Sequence, residues 1–225
     1  MPNFILPPLE IFAIEAIFSG VIFITSFVIY YRVHELYKLT DYPGLHYFSN
    51  TFLFLGLAYF LRFLVFIFIY SQPEIGFERV RFEDFRGVMV FSIAFMSYSS
   101  SASILYLIYS ITWRLSKLLR NEALLHSLAL VFAVISVFRI ASFLLIQLAL
   151  LVLLLIAIAF SYKKLEAEKK TTNITIYPLY ALIFVFWVLN LLVSFRMILP
   201  EFRFVIYALS IIVLLIIAYR ILKRI

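Results

Sequence analysis

The chain of 225 residues contains no cysteine, only five glycines, and 14% charged residues against the ~25% usual in soluble domains. Without cysteine there is no disulfide framework, no thiolate chemistry, no iron–sulfur cluster and no cysteine-ligated metal. Nor is there a Walker sequence, a dinucleotide fingerprint, an HExxH pair or a Gly-flanked serine nucleophile, so the sequence predicts neither catalysis nor a cofactor. What fills the chain is hydrocarbon: 65% hydrophobic residues, 26 Phe and 15 Tyr, with a mean hydropathy of +1.09. No soluble interior is large enough to hide that much apolar surface, which makes a lipid bilayer the required partner and a cell membrane the expected location.

The net charge of +7 and pI near 9.6 would suggest nucleic acid on a soluble domain. Here the nineteen Lys and Arg stand mostly between apolar runs, where they read as membrane-edge charges, and no nucleic acid is expected. The first run follows Pro7-Pro8 directly, with no basic region or small-residue cleavage pattern before it, and is read as a retained helix. In all, the sequence predicts an all-α, polytopic membrane bundle in one transmembrane domain over 1–225. Its seven spans lie at about 9–31, 47–70, 88–113, 123–138, 140–162, 174–195 and 202–219.

The division between the fourth and fifth spans rests on length and charge. One helix from Ala123 to Tyr162 would measure ~60 Å, about twice the hydrocarbon core, so a break is required near Ser136, Arg139 and Ser142. With seven spans, Arg32, Lys38, Arg114, Lys117, Arg120, Lys163, Lys164, Lys169, Lys170, Arg220, Lys223 and Arg224 share one side. Arg79, Arg81, Arg86, Arg139, Arg196 and Arg203 share the other. Fusing the two spans blunts this asymmetry, so the positive-inside rule favours seven, with the N-terminus outside and the C-terminus inside. The longest loops are then Arg32 to His46 and Ser71 to Gly87, the latter a solvated cap of mixed charge.

A polar group within lipid is costly and therefore informative. Counting at ~1.5 Å per residue from the outer face puts Glu15, Arg62, Gln147 and Asn190 at similar depths, with Ser97, Ser100, Ser101, Tyr207 and Ser210 beside them. One reading is an outward-open polar pocket walled by a Glu15–Arg62 pair, with Ser97, Ser100, Gln147, Asn190 and Tyr207 available to a ligand. The other is structural: intramembrane ions pair to avoid isolation, and Ser, Asn and Gln bridge helices. Ser92, Ser99, Ser103 and Ser110 form a stripe on the third helix that suits close packing rather than a permeation path. His34, His46 and His126 all map to the inner side and read as interface residues rather than haem or metal ligands.

The seven-span plan is similar in topology to microbial rhodopsins and heptahelical receptors. However, no span carries the lysine that a retinal Schiff base needs, and Thr112-Trp113-Arg114 stands where the receptors have an acidic-Arg-Tyr sequence. The residues thus suggest a non-catalytic bundle that senses a small ligand through an outward-facing pocket and signals to a separate cytoplasmic protein through the 32–46 segment. A small transporter or channel, and a non-catalytic subunit of a membrane complex, are the alternatives.

Overall fold

A computed structural model describes residues 9–70, 82–113, 121–167, 177–194 and 200–223. Seven helices make up these residues, with no strand among them: α1 (Leu9–Thr40), α2 (Pro43–Tyr70), α3 (Phe82–Thr112), α4 (Glu122–Phe138), α5 (Ile140–Ala167), α6 (Tyr177–Val193) and α7 (Pro200–Leu222). Five of them, α1, α2, α3, α5 and α7, are long and apolar enough to cross a membrane. The other two are apolar and 17 residues long. At about 25 Å they sit at the lower bound of what a bilayer requires. The chain is a helical membrane protein.

Local chemistry sets the boundaries. Asn121 caps α4 by accepting from the Ala123 backbone N–H at 3.0 Å. The helix ends at Arg139, whose extended backbone (φ −144°, ψ 107°) separates it from α5 after a single residue. The break required between the fourth and fifth spans therefore falls at Arg139.

The Arg32–His46 loop needs correction. Residues 32–40 continue α1, where Arg32 pairs with Glu35 at 3.3 Å one turn on and the Thr40 hydroxyl donates to the Leu36 carbonyl at 2.8 Å. The helix stops only at Asp41, with φ at 50°, and Pro43 opens α2. Hydropathy falls at the membrane surface, but the hydrogen-bonded ladder does not, so the supposed loop is a two-residue corner. The Ser71–Gly87 loop shrinks as well: α3 begins at Phe82, leaving 71–81, which lie outside the described residues.

Successive helices pack side by side, α3 also touches α5, and α7 returns to α1 to close the bundle. Half of the membrane window of α3 is buried inside the protein, against a third or less for the others, so α3 is the central helix. Its serine stripe explains how it fits there. The Ser103 hydroxyl reaches across to donate to the Thr51 carbonyl of α2 at 2.8 Å, which only small residues at the contact permit. Around it lies a core of Phe18, Ile22, Phe52, Leu55, Ile104, Leu107, Leu154 and Phe186, all essentially inaccessible.

Candidate functional site

Two polar threads cross the bundle toward the end where α1 begins. The first starts on α7, where the Tyr207 hydroxyl donates to Glu15 Oε1 at 3.1 Å. Arg62 Nη2 on α2 donates to Glu15 Oε2 at 3.4 Å. The guanidinium lies 5.9 Å from the Tyr59 ring and 5.6 Å from that of Phe66, so its charge is also held against two aromatic faces. Tyr59, one turn behind Arg62, donates a hydrogen bond to Asn190 Oδ1 on α6, and Asn190 Nδ2 donates to the Phe186 carbonyl at 2.7 Å. Four helices, α7, α1, α2 and α6, are joined in this way.

The second thread joins α5 to α3. Gln147 Nε2 donates to Ser100 Oγ at 2.8 Å and, more weakly, to Ser101 Oγ at 3.4 Å. Ser100 passes its own hydrogen to the Ser97 carbonyl at 3.2 Å. Gln147 is 4% exposed, yet among the described residues its Oε1 has no partner.

Between the threads lies a cavity with about 640 Å³ of empty space, mouth included. Its walls are Ala58, Tyr59 and Arg62 of α2, Met96 and Ser100 of α3, Phe143, Gln147 and Leu151 of α5, and Trp187, Asn190, Leu191 and Ser194 at and beyond the end of α6. Arg62, Phe143 and Ser194 lie toward its mouth; Gln147, Leu151 and Trp187 form its floor. Trp187 is 7% exposed, and its indole Nε1–H also lacks a partner among the described residues. Both atoms are covered by protein rather than facing the open space, as are the hydroxyls of Ser19, Ser26, Ser99 and Ser210, unpartnered among the described residues.

The residues singled out in the sequence fall into three groups. Arg62, Ser100, Gln147 and Asn190 line the cavity. Glu15 and Tyr207 stand behind Arg62 and hold it. Ser97 faces elsewhere: its hydroxyl donates to Ser136 Oγ of α4 at 2.8 Å, making it a helix-packing residue. Tyr59 and Trp187 escaped the sequence reading, because among 26 Phe, 15 Tyr and two Trp an individual ring carries no signal.

The histidines also differ from a plain interface role. His126 lies a turn inside α4, with the Tyr98 hydroxyl 2.8 Å from Nδ1 and the Tyr106 hydroxyl 3.0 Å from Nε2. His46 Nε2 pairs with Glu122 Oε1 at 3.1 Å. Among the described residues no group of three or more His, Asp or Glu is arranged to hold a metal ion.

A central helix packed against α2, α4 and α5 and a partly open cavity beside it define a helical membrane protein with a polar-lined internal space. No protein-family model matches the chain, and no solved structure matches it. A protein of Archaeoglobus fulgidus, described only as an uncharacterized protein, is 50% identical over 221 residues, covering 97% of this chain and 96% of the relative. The chain belongs to the same family as that protein.

Proposed function

We propose that the protein is a membrane-embedded, non-catalytic binder of a small polar ligand, which it senses in the cavity between α2, α3, α5 and α6. The observation that carries this reading is the cavity itself, onto which four helices bring the polar residues Tyr59, Arg62, Ser100, Gln147 and Asn190. The purely structural reading accounts for the Glu15–Arg62–Tyr207 and Tyr59–Asn190 contacts, but it leaves that space without a role.

With the N-terminus outside, as the distribution of Lys and Arg favours, the mouth faces the exterior and the corner at Asp41 faces the cytoplasm. A cytoplasmic partner then meets the rigid α1–α2 corner rather than a free loop. A ligand alters that end only through differential contacts along the helices that line the cavity.

A thermal-shift screen of small polar compounds on the purified protein tests the reading. Saturable stabilisation is expected from at least one compound, abolished by Gln147→Leu combined with Trp187→Phe, and with no movement of that compound into proteoliposomes. Flux of the compound that is lost in Glu15→Gln would replace the sensor with a transporter; absence of any saturable compound would remove the binding site.

A further inference from the structure

The charge around the cavity specifies what kind of molecule it accepts. Arg62 lines the space, yet its charge is matched by Glu15, which sits outside the lining and is braced from behind by Tyr207. Both partners are largely withdrawn from water, with side-chain exposures of 23% and 19%. The remaining polar lining groups are uncharged: a phenol, two amides, two serine hydroxyls and an indole. Bringing an ion into such a space costs several kcal/mol of desolvation, and a neutralised guanidinium returns little of it. An uncharged molecule carrying hydrogen-bonding groups meets no such penalty. Its polar groups meet the neutral amide and hydroxyl residues of the lining, and its body lies against Met96, Phe143 and Leu151.

We infer that the cavity selects an uncharged, hydrogen-bonding small molecule of the amide or alcohol class, and that Glu15, which does not line the cavity, sets this selectivity by cancelling the charge of Arg62. The inference rests on the binding reading above and adds to it the ligand class and a specificity-determining residue. Its consequence is a switch: removing the Glu15 charge alone turns a neutral site into an anion site.

The test uses Trp187 as reporter in the Trp113→Phe chain, where it is the only tryptophan. Three probes of one shape, benzamide, benzoate and toluene, are titrated at neutral pH while Trp187 emission is followed, and thermal unfolding verifies each variant's fold. Benzamide is expected to saturate at a concentration at least tenfold below benzoate. In Glu15→Gln the order reverses. Glu15→Gln combined with Arg62→Gln removes both charges and restores the preference for benzamide, which keeps the test decisive if the single variant does not fold. Gln147→Leu weakens benzamide about tenfold and leaves toluene unchanged. Benzoate binding as well as benzamide in the unaltered site, or benzoate preferred by the doubly neutral variant, overturns the inference while leaving the cavity a binding site. Failure of all three probes to saturate overturns the binding reading itself.

Discussion

A Cβ placed on Gly44 would fall 2.7 Å from Tyr42 Cε1 and 2.8 Å from Trp113 Nε1. Those two rings already pack edge to face at 5.0 Å, so neither can withdraw freely, and the corner between α1 and α2 is pinned to the end of α3. At Gly87, in the second turn of α3, an added Cβ meets nothing within 4 Å. Gly44→Ala is therefore expected to cost about 1–3 kcal/mol through overpacking. Gly87→Ala is expected to be neutral or to gain up to about 1 kcal/mol through helix propensity. Melting of both variants in one detergent checks the contrast; equal midpoints would mean that the corner is not a fixed contact. At this scale the candidate site was partly legible. Glu15, Arg62, Gln147 and Asn190 stand out because a polar side chain in an apolar run has a cost that needs a reason. Which of them share a cavity depends on helix rotation, and helices apolar all round carry no periodicity from which to read it. That is why the sequence groups Ser97 with Ser100, although the two point to α4 and to the cavity respectively.

Helix α4 shows how an element is held where apolar side chains gain little from leaving lipid. Glu122, His126, Ala129, Ala133 and Ser136 recur at spacings of four, three, four and three, forming one stripe. Along it, Glu122 meets His46, His126 bridges Tyr98 and Tyr106, and Ser136 meets Ser97, with alanines between them allowing close approach. The two tyrosines lie eight residues apart on α3, and the imidazole between them uses both nitrogens. His126→Ala strands two hydroxyls and is expected to cost about 1–3 kcal/mol. Ser136→Ala, which removes one interhelical bond between hydroxyls, should cost about 0.6 kcal/mol. Hydrogen exchange gives the readout: amides of α4 should exchange faster in His126→Ala while those of α1 and α2 keep their protection. Unchanged protection in α4 would show that the helix is held by packing alone. The sequence marked the existence of α4 and its end at Arg139, because length alone forbids a single helix across 123–162. It did not mark the role of His126, since a histidine near a span boundary looks the same whether it faces headgroups or tyrosines. The same blindness hid the extension of α1, whose last nine residues are too polar for lipid and still helical.

At the scale of the whole molecule, the distribution of Lys and Arg along the sequence predicts an orientation. Asp41 closes α1 and Lys223 follows α7, while Arg139 separates α4 from α5. With seven crossings, Asp41 and Lys223 share the end that gathers most of the Lys and Arg in the sequence, and Arg139 lies at the opposite end. Anionic headgroups on the cytoplasmic leaflet and the positive-inside bias both predict that the basic end faces the cytoplasm. Because the chain has no cysteine, single cysteines report position without background. In intact cells a membrane-impermeant maleimide is expected to label Arg139→Cys and to spare Asp41→Cys and Lys223→Cys until the membrane is opened. The reverse pattern would turn the cavity toward the cytoplasm and make its ligand an intracellular one. Labelling of all three from the same side would mean that α4 and one further helix, by length α6, do not cross, whereas Arg139→Cys joining Asp41→Cys with Lys223→Cys opposite would mean that α4 alone does not cross. The three positions thus decide both the count of crossings and the side from which a ligand enters.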